Sequence, residues 1–184
     1  MPHIDSAEPF LLRRVKAPHV SWSRAVSAGI VAGQIGGLAM AIAMVGVFHF
    51  VLGKSPFVPF QVIGATVLGY TGGAAAADAP AALLGFLVHQ LVPSLSWGIA
   101  FGLLELVVRP QRASGLVWMG LAVGALAQVI DVYIVLPYAH AHLIVEDAWR
   151  TTVHPVASWL FHLVFGMGLS FYPWKYDASA GRFV

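Results

Sequence analysis

Eight histidines, one isolated carboxylate and no cysteine define the chemistry this 184-residue chain could carry. Six of the histidines, His49, His89, His140, His142, His154 and His162, lie in or beside apolar sequence, and Asp131 interrupts an otherwise uncharged run. Imidazole suits zinc, copper and iron. A pair such as His89 and His162 could also ligate haem b from both axial sides, across a gap of roughly 4 Å between ring nitrogens. Asp131 with His49, His140, His142 and His154 forms a wider set of candidate transition-metal ligands. His140 and His142 stand two apart, which is not a helical ligand spacing. Gln128 precedes Asp131 by three residues, so on an α-helix the two share a face. The alternatives for each histidine are a hydrogen bond to a neighbouring helix, with Ser94, Ser96, Gln128 or Asp131 as partner, and a proton-relay or quinone contact. Without cysteine there is no disulfide, thiolate site or cysteine nucleophile. No Gly-x-Ser-x-Gly, His-Glu-x-x-His or phosphate-binding glycine loop occurs. The expectation is therefore a non-enzymatic protein.

These residues must be positioned by membrane-spanning helices. Hydrophobic residues make up 59% of the chain and charged residues 10%, against about a quarter charged in a soluble domain. So few charges cannot cover a soluble surface. The excess of ten Lys and Arg over eight Asp and Glu is too small to suggest nucleic acid. A span needs roughly 20 apolar residues, and charge-free runs place four at about 25–53, 79–108, 113–137 and 152–172. Helices are required because each backbone amide in lipid must be satisfied within its own segment. The reading is an all-α integral membrane four-helix bundle, with a cytoplasmic tail at 1–24 and another at 175–184. The first span is expected to be an uncleaved anchor, because its apolar run is too long for a signal peptide. Residues 55–77 are also uncharged, but the stretch opens with Pro56 and Pro59 and closes in Gly72 and Gly73, and its apolar part, Phe57 to Tyr70, is short. That suits a re-entrant or interfacial segment between spans one and two.

Cation placement orients the bundle. With four spans, Arg13, Arg14, Lys16, Arg24, Arg109, Arg112, Lys175 and Arg182 fall on one side and Lys54 and Arg150 on the other. The cation-rich side is cytoplasmic, so both termini are inside. Five spans would divide the same ten evenly. This orientation gathers the six histidines and Asp131 into the outer half, with His89 and His162 roughly 13–15 Å deep at 1.5 Å per residue. Trp22, Tyr172, Trp174 and Tyr176 should mark the inner interface, and Tyr138 and Trp149 the outer one. Glu105 is expected to face Arg109 as an interfacial pair.

Spans two and four share a pattern 64 residues apart, Ser94, Trp97, Phe101 and Gly102 matching Ser158, Phe161, Phe165 and Gly166. Aligning His89 with His162 gives an alternative register. Either would be a parallel two-plus-two repeat. Gly29, Gly33, Gly36, Gly37, Gly120, Gly124, Gly166 and Gly168 recur at helix-packing spacing. They serve packing within the bundle or, for Gly29 to Gly37, a face for another subunit.

The phrases ALLGFLVHQLVPSLSWGIAFGLL and SWLFHLVFGMGLSFY resemble the even-numbered spans of small four-span bacterial inner-membrane proteins of the YagU-like group. The glycine-rich first span, SPFVPFQVIGATVLG and IVLPYAH extend the resemblance over most of residues 25–172. It implies four spans in the bacterial cytoplasmic membrane, with His89 and His162 at family-like positions, and no activity. Asp131, His140 and His142 are not part of that pattern. The leading expectation is a small non-enzymatic subunit or accessory of a larger membrane complex, in respiratory or photosynthetic electron transfer, with other membrane subunits and the lipid bilayer as partners. The second is a redox protein binding haem b or a metal through His89 and His162. The third is a small transporter or channel.

Overall fold

A computed structural model describes residues 21–69, 79–110, 113–138, 148–171, 176–177 and 182–183. The fold is all-α. Three helices are long and apolar enough to cross a membrane: α1 (Trp22–Val51), α3 (Ala79–Val108) and α4 (Ser114–Tyr138). Three are shorter: α2 (Val58–Leu68), α5 (Ala148–Thr152) and α6 (Pro155–Leu169). Tyr176–Asp177 pairs antiparallel with Arg182–Phe183, the one extended pairing among the described residues.

Local chemistry sets the ends. Ser21 caps α1, its Oγ accepting from the Arg24 backbone N–H at 3.3 Å. Arg109 takes a left-handed conformation (φ 47°) ahead of Pro110, which ends α3. The His154 side chain caps α6, with Pro155 at its first turn.

Glycine pairs carry the packing. Gly29 and Gly33 of α1 meet Gly98 and Gly102 of α3 backbone to backbone. Gly120 and Gly124 of α4 meet Gly166 of α6 in the same way, and Gly36 of α1 meets Phe165 and Gly168 of α6. In lipid, apolar side chains gain little from mutual contact, so close backbone approach and its dispersion energy hold such seams. These contacts occupy Gly29, Gly33, Gly36 and Gly37 within the chain. Gly102 and Gly166, 64 residues apart, sit at equivalent crossings: a Cβ on Gly102 would meet the Ala25 carbonyl and Gly29, and one on Gly166 the Gly120 carbonyl and Gly124.

The uncharged stretch after α1 forms α2, which packs antiparallel against the first half of α3: Gly64 meets Ala81 and Gly85 meets the Phe60 carbonyl. Trp149, expected at the outer interface, is instead 3% exposed and bonded to Ser158. Its N–H finds a better partner inside than at the surface. Trp22 and Tyr138 are exposed. Glu105 is 2% exposed, and Arg109 Nε donates to the Leu106 carbonyl.

Gly98→Ala would bring a Cβ onto the Gly29 carbonyl oxygen and Gly33 Cα, neither of which can turn aside. It should destabilise the protein by about 1–3 kcal/mol. Gly46 has open space around it, so Gly46→Ala should be neutral or slightly stabilising. Thermal unfolding in detergent compares them; equal midpoints for Gly98→Ala and wild type would contradict the seam.

Candidate functional site: a polar-tipped cavity between α3, α4 and α6

All three long helices widen into π-helical stretches beside their polar residues: Val47–Val51 in α1, Gln90–Ser94 in α3 and Gln128–Val135 in α4. Such stretches often mark functional sites. In α3 the cause is Pro93, which has no N–H to give the His89 carbonyl. A carbonyl freed in lipid needs another donor. Ser94 Oγ supplies it, at 2.8 Å from His89 O. The next carbonyl, of Gln90, accepts from Gln34 Nε2 of α1 at 2.9 Å. Gly37 makes room for this, since a Cβ there would strike Ser94 and the Gln90 amide.

That backbone carbonyl orients everything attached to it. It can only accept, so the Gln34 nitrogen faces it and Gln34 Oε1 faces away. Gln90 Nε2 therefore donates to Gln34 Oε1, at 3.3 Å. Gln90 Oε1 is left for His89, whose Nδ1 lies 3.1 Å away and must be the donor. The His89 proton thus sits on Nδ1, and its Nε2 carries the lone pair. Phe60 of α2 braces the ring edge-on at 6.1 Å between centroids.

His162 reaches the same state independently. Its Nδ1 lies 2.9 Å from the Ser158 carbonyl, an acceptor only, so it too is protonated at Nδ1. Among the described residues neither Nε2 has a hydrogen-bond partner. Both rings line one cavity of about 420 Å³, whose walls include Met40, Ile63, Val92, Trp97, Val135 and Phe165. Asp131 lines it as well, with both carboxylate oxygens accepting from Trp97 Nε1 at 3.0 and 3.1 Å.

The other sequence candidates lie elsewhere. Gln128 and Asp131 do not act together. The i→i+5 bonding of the π stretch, seen in Leu136 N–H donating to the Asp131 carbonyl, widens the turn so that residues three apart diverge. Gln128 is fully buried and accepts from Ser158 Oγ at 2.8 Å, beside a second cavity with Tyr133 and Arg150. His49 is exposed, its ring edge against Phe50 at 4.6 Å. His154 is exposed, its Nδ1 accepting from the Val156 N–H. His140 and His142 lie outside the described residues. Among the described residues no three His, Asp or Glu side chains converge as a metal-ion site. The histidine partners foreseen from sequence, Ser94, Ser96, Gln128 and Asp131, are replaced by Gln90 and a main-chain carbonyl. Gln34, Gln90 and Trp97 were not singled out as site residues. Pro93 next to a buried histidine was the available signal for the first two.

Comparison with known proteins adds no relative: no family model, curated protein or solved structure matches the chain.

Histidine-selective ¹⁵N NMR in lipid should show His89 and His162 as Nδ1–H tautomers. Gln34→Leu should release His89 toward a tautomer mixture and leave His162 unchanged. A protonated Nε2 on both rings in the wild type would sink the assignment.

Proposed function

We propose that this chain is a multi-pass protein of the bacterial cytoplasmic membrane that holds a small lipid-soluble ligand or cofactor, without chemistry of its own, for an electron-transfer assembly. One observation carries this reading. Two imidazoles from different helices line the same cavity, each tied down through Nδ1 with its Nε2 unpartnered among the described residues. Unpaired polar atoms inside a membrane are costly and mark functional sites. The cavity lies within the usual 300–1,000 Å³ range of ligand sites.

Haem b is the second reading. Nδ1–H donation to an oxygen acceptor is the arrangement that orients metal-ligating histidines, and both rings have it. Membership of a larger complex remains part of the proposal, but its support is reduced because the glycine faces are filled internally. The transporter reading has less behind it, since Asp131 is already held by Trp97.

The proposed topology has four spans, α6 being the fourth, with α2 dipping back beside α3 and both termini cytoplasmic. Its support is the cation distribution and the antiparallel glycine crossings of α1 with α3 and of α4 with α6. The resemblance to the YagU-like group enters for topology alone.

The cysteine-free chain makes the topology directly testable. Single cysteines at Lys54 and Arg150 should react with a membrane-impermeant maleimide in intact cells, and one at Arg24 only after lysis. For the site, protein purified in mild detergent should carry a stoichiometric small molecule, seen by native mass spectrometry or, for haem b, as a Soret band. His89→Ala and His162→Ala should each lose it and His49→Ala should keep it. Retention by both cavity variants would overturn the reading.

A further inference from the structure

We infer that the ligand of the α3–α4–α6 cavity is a lipid-soluble hydroquinone, entering sideways from the bilayer between α3 and α4. This rests on the cavity being the binding site, and adds the class of molecule and its route.

The polarity of the wall points to the class. Its donors are already committed: both histidine Nδ1 atoms, Trp97 Nε1 and Ser94 Oγ each bond within the protein. What remains toward the cavity consists mainly of acceptors: His89 Nε2, His162 Nε2 and the spare lone pairs of Asp131. Both Asp131 oxygens accept from Trp97 Nε1 and keep further lone pairs. The Ser96 hydroxyl stands at the exposed rim. Such a wall leaves a carbonyl or an anion unmatched, and lone pairs facing apolar space are expensive. It is satisfied by a ligand that donates. A bare metal ion would also accept lone pairs, but no three-ligand group exists among the described residues.

The number and placement of acceptors narrow the class. They come from three helices, α3, α4 and α6, so a lipid alcohol with one hydroxyl would leave most of them unmatched. Two hydroxyls on a rigid ring reach separated acceptors. Trp97, Trp149 and Phe165 line the same space and offer faces and edges to a flat ring.

The route follows from exposure. Cavity-lining Val92 of α3 is 56% exposed and Val135 of α4 is 49% exposed. Lining residues from α1, α5 and α6, namely Met40, Trp149, His162 and Phe165, are buried. α3 and α4 also share few contacts, unlike the glycine-sealed pairs. The opening therefore faces the acyl chains, where an alkyl or prenyl tail would remain.

The probe is a decyl-substituted benzohydroquinone and its oxidised quinone, titrated into the full protein in lipid nanodiscs and read by quenching of tryptophan fluorescence. The hydroquinone should bind at least about tenfold more tightly than the quinone, the weight of one buried hydrogen bond. Asp131→Asn, nearly isosteric and still able to accept from Trp97, should reduce that preference several-fold, and His162→Gln should weaken hydroquinone binding by about tenfold. His49→Ala should change nothing. Val135→Trp should block the opening and slow association without altering the tautomers of His89 and His162. Equal or tighter quinone binding would overturn the inference. If neither form binds while a Soret band depends on His89 and His162, the class is wrong and the site stands. If no ligand depends on these histidines, both readings fall.

Discussion

The hydrogen bond from Gln34 Nε2 to the Gln90 carbonyl holds the centre of this structure in place. It forms one residue beyond the carbonyl that Pro93, lacking an N–H, cannot serve. Ser94 Oγ bonds the His89 carbonyl from within α3, and α1 lies close enough for Gln34 to bond the Gln90 carbonyl. Gly29, Gly33 and Gly37 permit that approach. The glycine seam and the amide clamp are thus two parts of one requirement. The clamp then transmits orientation outward through Gln90 to His89, fixing which ring nitrogen carries a proton.

A second, unrelated arrangement yields the same result at His162, where an ordinary helical carbonyl receives Nδ1. The two histidines are therefore alike in chemical state, though one depends on a tertiary contact and the other on its own turn. This asymmetry has a consequence for dynamics. Loosening α1 against α3 disturbs His89 while leaving His162 in place. Asp131 is fixed by a third device, the indole of Trp97 across the α3–α4 gap, so the least tightly packed boundary is bridged at the site itself.

Much of the architecture was legible in the sequence, because bilayer thickness and the absence of water dictate it. The charge-free runs located α1, α3 and α4 to within a few residues, and the prolines and glycines around Phe57 to Tyr70 marked the short α2. His89, His162 and Asp131 were found for the same reason: polar groups stand out in apolar sequence. What could not be read was direction. Gln128 and Asp131 looked like partners because an α-helix was assumed, and the π stretch rotates them onto different cavities. His49 and His154 looked like ligands by composition, but one faces outward and the other caps a helix. Gln34 was invisible as a site residue because its role depends on a carbonyl more than fifty residues away.

An experimental density map of the protein in lipid nanodiscs tests the central claim most directly. It should show Gln34 seated on the Gln90 carbonyl, and the Nε2 atoms of His89 and His162 turned toward one cavity beside Asp131. A map in which Gln34 points away, and either Nε2 is bonded to a neighbouring helix, would contradict the site and everything built on it.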